Sequence, residues 1–176
     1  MNFKYGEAKS CRACGSSKLK RVLHLNDMPP GDKYASSPES IPSQNLSSSI
    51  DMCEDCCHIQ MSGWADPEYI YASYLSRPAT INPSLKSQYD EYATQVSRLA
   101  GDGSVLEVGS NDGLFLKLLT DRGTQCIGIE PAANMVNYAN ERQVRSVNAF
   151  VSEQSVSEAI EIIGKPNVIL ANHSFS

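Results

Sequence analysis

The chain has 176 residues, 41% of them hydrophobic, and a formal net charge of −5. That is enough for one ordinary domain, or for a small domain plus part of another, and apolar enough for a globular rather than a disordered chain. The acidic balance is the wrong sign for a general nucleic-acid binder, no run of about 18 apolar residues offers a membrane span, and Met1–Glu7 lacks the apolar stretch of a secretory signal.

Six cysteines without a secretory signal indicate a reducing compartment, with the cytoplasm as the expected location. Four of them form two C-x2-C knuckles, Cys11/Cys14 and Cys53/Cys56, separated by thirty-eight residues. Such turns aim two thiolates at one ion while backbone N–H groups donate to sulfur, and Gly15 supplies a permissive residue after the first. The set Cys11, Cys14, Cys53 and Cys56 is therefore expected to hold a structural zinc ion, closed to catalysis. Cys57 and His58 are alternatives to Cys56, and otherwise read as half-buried neighbours of the metal. The spacer exceeds the usual range, so a loop or hairpin must lie within it.

Residues 1–60 are otherwise turn-rich. Loops are expected over 28–33 and 35–43, and strands over Leu46–Met52 and Cys57–Met61. Residues 61–82 are aromatic and read as irregular. From Pro83 to Leu99 the apolar spacing predicts a helix that Gly101 stops.

After Gly101 the chain alternates. Strand Ser104–Gly109, helix Gly113–Arg122, strand Gln125–Glu130 and helix Ala132–Arg142 precede a short strand near Arg145–Asn148. Helix Ser152–Ile163 and strand Asn167–Asn172 follow. This rhythm means an α/β fold with a parallel sheet covered by helices. Room for only four strands suggests the N-terminal part of a longer doubly wound domain.

Within it, Val105-Leu-Glu-Val-Gly-Ser-Asn-Asp-Gly113 runs from strand through glycine-rich turn to helix, and Glu130 ends the next strand. A dinucleotide fingerprint starting at Gly109 would need glycine where the chain has Asn111 and Leu114. The acidic-x-Gly-x-Gly-x-Gly loop of class I S-adenosylmethionine-dependent methyltransferases fits better, with Glu107, Gly109, Asn111 and Gly113 in its four positions. Asn is the best non-glycine residue where φ must be positive. The cofactor reading assigns Glu107, Gly109, Ser110, Asn111 and Gly113 to its amino-acid moiety and Glu130, with Pro131 behind it, to the ribose hydroxyls. Ala149 and Phe150, after the third strand, would wall the adenine. Cys126 reads as a core residue and His24 as a surface one.

These motifs, together with Val22-Leu-His-Leu-Asn-Asp-Met-Pro29, His58-Ile-Gln-Met61, Tyr71-Ala-Ser-Tyr74 and Gly128-Ile-Glu-Pro-Ala-Ala-Asn134, resemble the zinc-containing C-methyltransferases of nucleotide-linked deoxysugars. The resemblance runs along the whole chain. It implies a zinc-binding module followed by the first half of a class I methyltransferase (Rossmann-like) sheet, in three parts: 1–62 zinc module, 63–100 aromatic linker and helix, 101–176 truncated cofactor-binding domain. It implies methyl transfer from S-adenosylmethionine to a sugar carbon beside a keto group, after proton removal and with hydrogen bonds for the developing oxyanion. Tyr74 aligns with a family tyrosine that faces the active site; Ala72 stands where a second tyrosine is usual. Asn172 fits a cofactor-side position and His173 a substrate-side one. The expected partner is a small nucleotide-sugar substrate, with no nucleic acid and no membrane. With the base expected beyond Ser176, the 176-residue chain is expected to be inactive. A zinc-containing RNA methyltransferase and a non-catalytic binding module are the alternatives. Seven Lys/Arg against seven Asp/Glu in residues 1–60 give the module no basic excess for the first.

Overall fold

The computed structural model describes residues 4–29, 31, 37–40, 45–74 and 83–174. Much of the two expected loops, 28–33 and 35–43, and residues 75–82 lie outside the described residues. The chain divides into two compact units, Met1–Ile70 and Tyr71–Ser176.

In the first unit, β1 (Tyr5–Glu7) pairs antiparallel with β5 (Gly63–Ala65). An antiparallel sheet runs in the order β2 (Leu19–Leu23), β3 (Ile50–Cys53), β4 (Ile59–Met61). A single bridge joins Met28 to Leu46, and α1 (Pro67–Tyr71) closes the unit. The expected strands around residues 46–61 are therefore present but shorter. Strands β1 and β2 carry no alternating apolar pattern, and β5 and α1 occupy what reads as irregular aromatic sequence, so residues 63–70 join the first unit. These pieces are short because they are assembled by long-range pairing rather than by local periodicity.

Among the described residues of this unit the buried apolar side chains are Cys11 and Cys53; the other buried side chains are Ser48, Ser49, Asp51, Gln60 and Ser62. Hydroxyl and amide networks fill the interior instead, such as Ser62 Oγ donating to Ser49 O at 3.0 Å. A unit of this size whose described residues bury so little apolar side chain needs another source of stability.

The second unit is an α/β layer. Helix α2 (Pro83–Ala100) leads into β6 (Ser104–Val108), α3 (Leu114–Thr120), β7 (Gln125–Ile129) and α4 (Ala133–Glu141). Strand β8 (Ser146–Val147), α5 (Glu153–Ile163) and β9 (Val168–Leu170) follow. The expected elements appear in order, with ends shifted by a residue or two. The sheet is parallel throughout, in the order β8-β7-β6-β9. The order steps outward from β6 on one side and resumes on the other with β9, so the switch point lies between β6 and β9.

The strand side chains alternate between two cores. Val105 and Cys126 face Ala93, Val96, Phe115, Leu116 and Leu119 from α2 and α3. Leu106, Ile127 and Ile129 face Ala159 and Ile163 of α5. Each fully buried aliphatic side chain contributes about 1.5–3 kcal/mol, so these two layers hold the sheet rigidly enough to fix its loop ends. Ser152 caps α5 by accepting from Ser155 N–H at 3.2 Å, and Gly164 ends it at φ 73°. Among the described residues no helix is long and apolar enough to cross a membrane.

Gly128 shows how tightly the layers meet. A Cβ there would lie 2.1 Å from Ser110 Oγ and 2.7 Å from Ser146 Oγ. Gly128→Ala should destabilise the unit by about 1–3 kcal/mol, read as a lowered denaturation midpoint with unchanged slope; an unchanged midpoint would show that the two serines swing aside freely.

Candidate functional site

The first site is the cysteine cluster. Each knuckle is a turn closed by the same two backbone bonds. Gly15 N–H donates to Cys11 O (2.8 Å) and Cys11 N–H to Ser16 O (2.7 Å); Cys57 N–H donates to Cys53 O (2.9 Å) and Cys53 N–H to His58 O (2.9 Å). The residue after each knuckle is left-handed, Gly15 at φ 77° and Cys57 at φ 60°. Cys57 therefore occupies the place of Gly15 and gives its backbone, not its sulfur, to the turn. His58 likewise supplies a carbonyl. Both are exposed, not half-buried as the sequence suggests.

The Sγ atoms of Cys11, Cys14, Cys53 and Cys56 all lie within 4.8 Å of one another. Cys11 and Cys56 are 3.6 Å apart, Cys14 and Cys53 3.7 Å. Tetrahedral zinc with Zn–S bonds of about 2.3 Å needs sulfurs about 3.8 Å apart, so the four residues fit the ion. The thiols already compete for charge. The N–H groups of Cys14 and Ala13 bring Cys11 down to about 7. Cys56, although the His58 N–H favours its thiolate, is pushed up to about 12 by Cys14, burial and the other sulfurs. A divalent ion removes that mutual repulsion. Around the cluster Gln60 accepts from Arg12 N–H at 2.8 Å, Arg12 Nη2 donates to Gly63 O at 2.9 Å, and Asp55 accepts from Ser16 Oγ at 2.6 Å, tying the knuckles to the strands and to each other.

The second site lies at the C-terminal ends of the parallel strands, where open α/β sheets hold ligands. Gly109, Asn111 and Gly113 are all left-handed, with φ 70°, 52° and 71°. Asn111 thus adopts the backbone that glycine would. A Cβ on Gly109 would sit 2.3 Å from Ser174 Oγ, which donates to Val108 O at 2.6 Å. Ser110 is buried and directs its hydroxyl at Ser146, 3.3 Å away, so its side chain is turned to the strands rather than offered to a ligand.

Glu107 is 3% exposed; its Oε1 accepts from Asn172 Nδ2 at 2.8 Å and its buried Oε2 has no hydrogen-bond partner. Burial pushes its carboxyl up to about 7, the Asn172 bond opposes this, and Asp112 and Glu130 add to it. An orphaned buried carboxylate oxygen amid acids asks for a cation, as the ammonium and sulfonium of S-adenosylmethionine would be. The residues fit that group. Tyr92 extends the network, its hydroxyl donating to Asn172 Oδ1 at 3.4 Å, and stacks on Phe115 with centroids 4.8 Å apart. Burial and the nearby Glu107 and Asp112 also raise the Tyr89 phenol.

Glu130 does not stand open to solvent. Its oxygens accept from Asn111 N–H (2.9 Å) and Ala132 N–H (2.8 Å), and burial raises its carboxyl against those bonds. It knits the tip of β7 to the glycine loop, and each oxygen keeps a lone pair for a further donor. Glu130→Gln would turn one donor toward those N–H groups; S-adenosylhomocysteine affinity should fall about 10- to 100-fold, the worth of one charge-assisted bond, by calorimetry. An unchanged affinity would place the ribose elsewhere. Asn148 donates to both Glu130 O (2.9 Å) and Pro131 O (3.0 Å), which fixes the turn carrying Ala149 and the part-exposed Phe150.

Tyr74 is half-buried, and its backbone N–H and C=O are both held by the carboxamide of Asn134 at 3.1 and 2.7 Å. Asn134 lies in the first turn of α4, four residues after Glu130, so Tyr74 is tied to the same strand end as Glu130. His173 is exposed at the end of β9 with φ 56°, a non-glycine residue in a left-handed turn. The structure thus gathers Glu107, the glycine loop, Glu130 and Asn172 along one edge. Asn148 and Tyr92 carry no sequence signal beyond their polarity, and Asn134 and Asp112 none beyond standing inside quoted motifs; the contacts of all four appear only in the folded chain.

Two family models match the chain: a zinc binding domain over residues 11–71 and a methyltransferase domain over residues 84–176. Among curated proteins, the C-methyltransferase NovU of Streptomyces niveus is 22% identical over 170 residues, which cover 94% of this chain and 40% of that protein. The chain thus spans less than half of that relative's length. Among solved structures, a SAM-dependent methyltransferase from Archaeoglobus fulgidus matches 38% of this chain and 28% of its own, with 23% identity and a TM-score of 0.32. A Pyrococcus abyssi tRNA (uracil-54, C5)-methyltransferase matches 37% and 18%, with 22% identity and a TM-score of 0.31.

Proposed function

This chain belongs to the methyltransferase domain family, and we propose that it serves methylation of a nucleotide-linked keto-deoxysugar at the carbon beside the keto group. Its cofactor is S-adenosylmethionine and its four thiolates hold zinc. The observation that supports carbon as the acceptor is the match to a C-methyltransferase along 94% of the chain; the sugar rests on the resemblance carried by the zinc knuckles, the Tyr71–Tyr74 segment and the glycine loop.

When bound, the cofactor supplies an electrophilic methyl group. The chain's own residues do the rest. Glu107 takes the cationic end, the Gly109–Gly113 backbone lies against the amino-acid moiety, and Glu130 accepts the ribose hydroxyls. Ala149 and Phe150 line the adenine. The carbon beside the keto group becomes nucleophilic by losing a proton to a general base, a role this reading assigns to none of the described residues, and charge then develops on the keto oxygen. Tyr74, fixed through its backbone, donates a hydrogen bond to that oxygen, where a preorganised donor is worth most. His173 contacts the sugar. Zinc takes no part in the reaction, since four thiolates leave it no open position.

The decisive experiment presents the full-length protein with isotopically labelled S-adenosylmethionine and a panel of nucleotide-linked keto-deoxysugars. Two results are expected: a new carbon-bound methyl by NMR, and exchange of the neighbouring sugar proton with solvent deuterium before transfer. A methyl found on oxygen or nitrogen, or on RNA in place of a sugar, would overturn the proposal.

A further inference from the structure

We infer that Arg142 is a positioning residue for the cofactor loop, setting its geometry through Asp112; the inference rests on the cofactor reading above. Asp112 stands between two left-handed residues, Asn111 and Gly113. A non-glycine residue holds such a backbone only when its surroundings over-determine it. One determinant is Glu130, which receives the Asn111 N–H. The other is Arg142, just past the end of α4. Its Nη1 donates to the backbone carbonyl of Asp112 at 2.5 Å, its Nη2 lies 3.3 Å from Asp112 Oδ2, and Nη1 also reaches Tyr138 O at 3.4 Å. Asp112 Oδ1 accepts from Leu114 N–H at 3.2 Å, which starts α3.

The fork therefore grips main chain and side chain of one buried residue together, as a planar guanidinium can and an ammonium cannot. One turn earlier on α4, Ala139 lies 2.8 Å from where a Cβ on Gly113 would be. Ala139 and Arg142 thus seat the loop from behind, while Glu130 at the other end of the same β7–α4 element holds its front. The pairing also satisfies the Asp112 charge from within, so that of the three acids here Glu107 keeps the unpartnered oxygen for the ligand.

The test is calorimetric titration of S-adenosylhomocysteine into the zinc-loaded 176-residue chain, with thermal denaturation alongside. Arg142→Lys and Arg142→Ala should each weaken binding about tenfold, the effect of losing one or two charge-assisted bonds that shape the loop. Asp112→Asn should weaken it too, and the Arg142→Ala/Asp112→Asn pair should be no weaker than Arg142→Ala alone, because the Asp112 carboxylate acts through Arg142. Arg122→Ala is the control. Arg122 makes a similar set, to Leu118 O at 2.8 Å and Asp90 Oδ1 at 2.9 Å, at the opposite end of α3; its loss should lower the melting temperature and spare the affinity. Wild-type affinity in both Arg142 variants overturns the inference, as does equal weakening in Arg122→Ala or additive effects in the double variant. Should Arg142→Ala not fold, Arg142→Lys decides. Failure of the unaltered chain to bind S-adenosylhomocysteine would instead overturn the cofactor reading itself.

Discussion

Cys53→Ala is expected to release the zinc ion and unfold the first unit, the largest single effect foreseen for this chain. Cys53 is fully buried and one of only two buried apolar side chains among the described residues of that unit. The rest of its interior is serine, Asp51 and Gln60, which contribute little net stability because they exchange water contacts for protein ones. Structural zinc contributes on the order of 10 kcal/mol to a small domain, comparable to or larger than the whole stability of most single domains. A chelator should act like the mutation. Metal analysis would read the ion, and amide exchange over residues 4–70 the loss of structure. Cys57→Ala separates ligand from neighbour: its sulfur is outside the cluster, so one zinc per chain should remain. Zinc retained at full stoichiometry in Cys53→Ala, or lost in Cys57→Ala, would refute the assignment.

Glu107→Gln should make the second unit more stable and the cofactor weaker. Burial holds the Glu107 carboxyl at about 7 against its ordinary 4.5. The folded chain therefore binds that proton more tightly than the unfolded chain. The stability this lends is complete below about pH 4.5 and is lost as pH rises through about 7. Gln keeps an acceptor for Asn172 and carries no charge to desolvate. A gain on the order of 1–2 kcal/mol at pH 8 is expected from denaturant unfolding, vanishing toward pH 4.5. Affinity moves the other way, since a cation needs the carboxylate. S-adenosylmethionine should bind the wild type about tenfold more weakly at pH 6 than at pH 8, and Glu107→Gln should bind weakly at both. A variant that is both more stable and equally tight would mean that the orphaned oxygen serves no ligand.

The contrast between these two sites explains what could be read from the chain. The knuckles are local: two residues between cysteines and a permissive residue after them dictate the turn, whatever lies elsewhere. Spacing also chose Cys56 over Cys57 and His58. Their exposure was not legible, because it depends on how the turn projects from the β3–β4 hairpin. Strands β1, β2 and β5 of the first unit escaped notice for a related reason, whereas β3 and β4 lie within the strands expected over Leu46–Met52 and Cys57–Met61. A three-residue strand such as β1 exists only because β5 pairs with it some sixty residues later. The α/β unit was legible almost in full, since apolar runs, helical spacing and Gly stops each report on a neighbour a few residues away.

The sequence by itself determined the four thiolates, the alternating strands and helices, and the left-handed path of the loop through Gly109, Asn111 and Gly113. Local sterics and periodicity suffice for these. Only the tertiary structure decided how each carboxylate is held. Position in the motifs separates Glu107 from Glu130, but not that Glu107 is left with an orphaned oxygen, Asp112 is gripped by Arg142 and Glu130 is tied to two backbone amides. Their partners lie two to sixty-five residues away. The environment of a buried charge is set by the neighbours that folding brings around it, and most of those are out of reach of any local pattern.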